Sequence, residues 1–170
     1  MSIDQLQSYL VERFAEALSD VSTDERAYRA MVRRDALSAI CHALRDEFGF
    51  DYLACLSGVD RGEFVEVVYH VYGIATKLQA VLRTRAPKDD CRVPSVSHVW
   101  LAAQWHERET AEMFGVAFDG HPDPRHLLLP EGWIGYPLRK DYEPTPDYTR
   151  PSQLEPEVWA EFARRVEEEY

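Results

Sequence analysis

The chain has 170 residues, enough for one domain with a true core, and 45% of them are hydrophobic and 12% aromatic, which excludes a disordered polymer. Its formal net charge is −11, from 30 acidic and 19 basic side chains with no basic run, which argues against nucleic acid and anionic lipid as direct partners. Cys41, Cys55 and Cys91 are isolated and form no CxxC pair, so zinc, iron–sulfur and dithiol chemistry lack their ligand spacing and a structural role is expected.

In chain order, Ser2 with Gln5 reads as a capping box, followed by Ile3, Leu6, Leu10, Phe14 and Leu18 on one helical face. "AYRAMV" at 27–32 reads as a short strand, with a helix as the alternative. Asp35 is expected to cap a second helix, "ALSAICHALRDEF", which presents Leu37, Ile40, Leu44 and Phe48 and stops at Gly49. From Phe50 the period changes to two. "FDYLACLSGV", "EFVEVVYHVYG" and "IATKLQAVLRTRA" read as an antiparallel meander with a turn at "DRGE", and Ile74, Thr76, Leu78, Ala80 and Leu82 are expected on one face of the third strand. After the proline-bounded loop "PKDDCRVP", Ser95 or Ser97 is expected to cap a third helix through "VWLAAQWHERETAEMF", ended by Gly115.

These elements predict an α+β fold: a largely antiparallel sheet with helices packed on it, over residues 1–115. The remainder, 116–170, carries eight of the ten prolines and reads as an extended arm closed by a short amphipathic helix in "PEVWAEFARRVEEEY". No stretch reaches the ~20 apolar residues of a membrane span. "MSIDQLQSYL" has no signal-peptide character, so a cytosolic chain is expected, with membrane attachment only through another protein.

Two catalytic patterns arise. His106, Glu109 and Glu112 on the third helix have the spacing of a divalent-metal site, although Thr110 stands where an H-E-x-x-H motif needs its second histidine. His121 and His126 lie near Asp119 and Asp123, but imidazoles and carboxylates also satisfy the backbone groups of irregular chain. With Trp105 and Met113 expected in the core, the consecutive charges Glu107, Arg108 and Glu109 must meet partners. Arg108 and Arg139 suit two-pronged contacts that pin the arm to this helix or to another protein. No P-loop, G-x-S-x-G or G-x-G-x-x-G is present.

From Val93 to Tyr142 the order W-x-E-R-E, M-F-G, G-H-P-D, a leucine step and G-Y-P-L-R-K-D-Y closely resembles the signature region of the C subunit of proton-pumping NADH–quinone oxidoreductase, the bacterial respiratory complex I. The chain departs from that pattern at Ala111 and Glu112, where the family usually has an aromatic and an aspartate, and at Arg125 and His126, where it usually has two arginines. The resemblance implies a non-catalytic docking subunit of an enzyme complex, peripheral on the cytoplasmic side of the inner membrane. It implies no flavin, iron–sulfur cluster or quinone site in this chain, with FMN and iron–sulfur clusters in partner subunits and subunits D, B and I as neighbours. It also implies a docking surface formed by Glu107, Arg108, Glu109, His121, Pro122, Asp123, Trp133, Tyr136, Pro137, Leu138, Arg139, Lys140, Asp141 and Tyr142. The matching subunit of a membrane-bound hydrogenase or ferredoxin-dependent complex, and a stand-alone metal enzyme, are the competing readings.

Overall fold

The computed structural model describes residues 2–130 and 132–143. The helix expected over 156–170 lies outside the described residues. Met1–Lys140 form one compact unit and Asp141–Tyr170 a second.

Helix α1 (Ile3–Phe14) begins with the capping box read from Ser2 and Gln5: each side chain bonds the other's backbone N–H. After it come strands β1 (Leu18–Thr23) and β2 (Ala27–Val32), then α2 (Leu37–Phe48). Strands β3 (Tyr52–Asp60), β4 (Phe64–Gly73) and β5 (Leu78–Pro87) form the expected meander. Two short strands, β6 (Arg92–Pro94) and β7 (Ala117–Asp119), pair in parallel on either side of α3 (Ala103–Phe114).

The main sheet has the order β1-β2-β5-β4-β3; β2 pairs with β5 in parallel and the other three pairings are antiparallel. Because side chains alternate across a strand, Val65, Val67, Tyr69 and Val71 of β4 share one face. Leu6 and Leu10 of α1, Leu37, Ile40 and Leu44 of α2 and Ala103 of α3 join them in a single buried core. Gly58 lets α3 approach β3 closely, since a Cβ there would lie 2.5 Å from the Phe114 ring.

Several expectations need correction. Asp35 does not cap α2; its carboxylate is held by Arg33, and Ala36 occupies the cap position without a side-chain bond. The third meander strand starts at Leu78, because residues 74–77 turn and leave Ile74 exposed. Leu18 belongs to β1, an edge strand with a polar, solvent-exposed sequence and a bulge between Ser19 and Ser22, which explains why no apolar alternation marked it. Neither Ser95 nor Ser97 caps α3, which begins at Ala103 after a run of turns.

Candidate functional site

Helix α3 is oriented opposite to the sequence expectation. Trp105 does not enter the core: it is 61% exposed, and Leu101 just before the helix is 78% exposed. Its buried residues are Ala103, Glu107 and Thr110 on the face opposite Trp105, and Glu112, which lies on the Trp105 side and is covered by the arm at 127–129. Burying carboxylates is costly unless each finds donors, and both do.

Glu107 is fully buried. Its two oxygens accept the Ser95 hydroxyl at 2.6 Å and the Val96 N–H at 2.7 Å, and the Ser95 hydroxyl also contacts that of Ser97 at 2.7 Å. The serines thus tie the segment after β6 to the middle of α3. Burial pushes the Glu107 carboxyl up to about 7, against the lowering effect of the Ser95 and Val96 bonds. Beside it, 3.9 Å away, lies the Nε2 of the buried His121 side chain. The Asp123 N–H donates to His121 Nδ1, which leaves Nε2 as the donor to the Gln104 carbonyl at 3.1 Å.

Glu112 accepts three consecutive backbone N–H groups, those of Leu127 and Leu128 at 2.9 Å and Leu129 at 3.2 Å. It thereby folds the leucine step onto the helix. Replacing Glu112 with Ala is expected to speed hydrogen exchange at these three amides by about tenfold or more, the equivalent of ~1.4 kcal/mol of local stability. Exchange in β4 should be unchanged; equal acceleration there would show that the tie is not local.

Two arginines complete the attachment, chiefly through backbone carbonyls, and Arg108 also lies 3.8 Å from the Asp123 carboxylate. Arg108 donates to the carbonyls of Arg125 at 2.7 Å and His126 at 2.6 Å, and its guanidinium lies 5.7 Å from the centre of the Trp105 ring. Arg139 donates to the Phe114 carbonyl at 2.6 Å and stacks 4.5 Å over Tyr136, while the Leu138 N–H reaches the Met113 carbonyl. A guanidinium on the last carbonyls of a helix satisfies orphan acceptors and complements its dipole. On the far side, the Lys140 N–H bonds Asp60 at 2.8 Å. Burial pushes the Asp60 carboxyl up, but the N–H groups of Lys140 and Gly62 and the Lys88 ammonium outweigh it and hold it at about 2.

The consecutive charges at 107–109 therefore divide: Glu107 inward, Arg108 onto the arm, Glu109 outward to solvent. Pro122, Tyr136, Leu138 and Lys140 are exposed, and Trp133 and Pro137 half-buried. Asp123 is gripped by Arg125, whose guanidinium holds its carboxyl well below the usual range. Asp141 and Tyr142 fall in the second unit. The structure does not bring His106, Glu109 and Glu112 together as ligands, because Glu112 is turned toward the amides of 127–129. Among the described residues no group of three or more His, Cys, Asp or Glu side chains is placed to hold a metal ion. Nor do the histidines of the arm share a site: Asp119 pairs with Arg92, and His126 contacts the Pro130 carbonyl.

Over residues 30–148, which include every one of these ties, the sequence matches the family described as "Respiratory-chain NADH dehydrogenase, 30 Kd subunit". The chain belongs to this family. Within it, the chain is 44% identical over 137 residues to the C subunit of an NADH-quinone oxidoreductase from Chloroherpeton thalassium; the alignment covers 78% of this chain and 57% of that relative's length. It is 37% identical over 144 residues to the C subunit of the F(420)H(2) dehydrogenase from Methanosarcina mazei, covering 82% of this chain and 91% of that one. Among solved structures, a chain of the membrane-bound sulfane sulfur reductase, an archaeal respiratory membrane complex, superposes with a TM-score of 0.66 at 25% identity, over 82% of this chain and 85% of that one. No described helix is long and apolar enough to cross a membrane. The ties that sequence reading missed in this member of the 30 Kd family are those of Ser95, Ser97, Glu112 and Asp60. For the serine ties the one signal was that Glu107, Thr110 and Phe114 recur at helical spacing on the face opposite Trp105; for Glu112 and Asp60 there was none.

Proposed function

We propose that this chain is a docking subunit without catalytic residues of its own in a complex I-like respiratory complex, peripheral on the cytoplasmic side of the membrane. In this reading it supports electron transfer from NADH to quinone through FMN and iron–sulfur clusters held by partners, with the homologues of subunits D, B and I as neighbours. The observation that carries it is the inverted helix. Glu107 and Glu112 of α3 are buried and bonded to the chain's own segments, while Leu101 and Trp105 face outward with Ile134 and Leu138 of the arm also exposed. Apolar and aromatic side chains held outward by a rigid internal frame are suited to a partner, not to a reaction. The F(420)H(2) dehydrogenase relative and the sulfane sulfur reductase neighbour favour a second reading of the same role, in a complex fed by a donor other than NADH.

The test is affinity purification of the tagged chain from native membranes, with flavin, iron and acid-labile sulfide measured and electron donors assayed. Recovery without any cluster-bearing partner overturns the docking role; the donor that reduces the preparation separates the two readings. The Arg139→Ala variant is expected to lower the amount of chain incorporated several-fold while the isolated chain keeps its sheet. Normal incorporation with lost activity would contradict a docking role.

A further inference from the structure

All three helices pack on one face of the main sheet; on the opposite face Met31 and Val81 are buried among their neighbours, Val68 is half-buried, and Tyr52 and Tyr72 are exposed. That opposite face has an unusual composition. Tyr52 and Tyr72 stand directly across from each other at one end, and the opposite pairing Val68↔Arg83 and Glu66↔Arg85 places two guanidiniums toward the other. No lysine occurs in any of the five strands. Exposed tyrosine with arginine and without lysine is the composition of interface cores rather than of solvated surface.

The charges on this face are also unbalanced. Glu66 is neutralised by Arg61 at 3.0 Å and Arg29 by Asp24 at 2.9 Å. Among the described residues, Arg83 and Arg85 have no carboxylate partner; Arg85 lies only over the Phe64 ring, at 5.0 Å. A net-positive face on a chain of net charge −11 is not a by-product of overall composition. An isologous contact with a second copy would bring two net-positive faces together, which like-charge repulsion disfavours.

We propose that the helix-free face of the sheet is a second docking surface, separate from α3 and the arm, and that its occupant is a carboxylate-bearing segment of another protein subunit, seated on the exposed Tyr52 and Tyr72 and paired to Arg83 and Arg85. This rests on the chain working inside an assembly, but not on which assembly or which electron donor.

Cys55 provides the probe, since it is half-buried on this face opposite His70, whereas Cys41 is fully buried in the core. Maleimide labelling of Cys55, read by peptide mapping, is expected to be at least tenfold slower in the purified assembly than in the isolated full-length chain. The double variant Arg83→Glu with Arg85→Glu should keep its circular dichroism spectrum yet be lost from the assembly at moderate salt, and Arg83→Lys with Arg85→Lys should remain. Equal labelling in both states, or incorporation of the charge-reversed variant at the parent level, overturns the inference. Protection already present in the isolated chain overturns it too, whether the chain is a monomer or a dimer of two copies. Recovery of the parent chain alone sinks the docking role itself, whereas an intact assembly with reactive Cys55 sinks only this surface.

Discussion

The Glu107→Gln variant is expected to hold its stability nearly level between about pH 4.5 and 7, where the parent chain loses on the order of 3 kcal/mol, in proportion to a carboxyl raised from 4.5 to about 7. In the unfolded chain Glu107 ionises above its ordinary value; in the folded chain burial keeps the proton on until about 7. The folded state therefore binds the additional proton within this window, so stability is highest below it, declines as pH rises through it, and is constant and lower above it. Glutamine mimics the protonated form. Its oxygen accepts the Val96 N–H, and its amide group donates to the Ser95 hydroxyl. Urea denaturation of parent and variant at a series of pH values separates Glu107 from the other carboxylates, which contribute equally to both. Parallel curves would mean that the carboxylate is solvated and does not hold the serine segment in the buried form.

The Gly115→Ala variant is expected to cost about 2–3 kcal/mol and to release the arm from the end of α3. Gly115 ends the helix at φ 71°, and a Cβ there would lie 2.5 Å from the Tyr136 ring and 2.7 Å from the Arg139 guanidinium. The left-handed backbone alone costs a side chain about 1 kcal/mol; the remainder comes from displacing the stacked Tyr136–Arg139 pair and uncovering the Phe114 carbonyl. Gly49 supplies the control, because it ends α2 at φ 66° with nothing within 4 Å of an added Cβ. Gly49→Ala should therefore show the backbone cost without the contact cost. Trypsin cleavage after Arg139, followed alongside denaturation, should be several-fold faster in Gly115→Ala and unchanged in Gly49→Ala. Equal destabilisation of the two variants, with no change in cleavage, would show that Tyr136 and Arg139 do not hold the arm.

Local signals in the sequence predicted local structure well. The capping box at Ser2, the glycine stops at 49 and 115 and the period-two strands of the meander depend on near neighbours, and they appear where the pattern placed them except that the third strand starts at Leu78. Two misreadings are local, the Asp35 carboxylate being taken by Arg33 and residues 74–77 forming a turn, and the larger ones occur where a distant partner overrides the pattern. Hydrophobic periodicity sends Trp105 inward because it has no way to register that Ser95 and Val96 provide donors for Glu107, which reverses the helix. Likewise the polar sequence of β1 conceals a strand that exists through its pairing with β2. At the site, the dense charges of the W-x-E-R-E and G-H-P-D segments are legible as a cluster. Their direction is not, since whether a carboxylate faces a partner or its own backbone depends on loops remote in sequence.

The parallel pairing of β2 with β5 bears on how the protein reaches its native state. Ala27 is matched to Gln79 and Met31 to Arg83, so the central seam of the sheet joins chain segments about fifty residues apart, with a helix and a hairpin threaded between them. The N-terminal hairpin β1–β2 packs against α1 but gains its neighbour in the sheet only when β5 is in place. The sheet is thus completed by a non-local contact, whose loop-closure cost exceeds that of any helical turn.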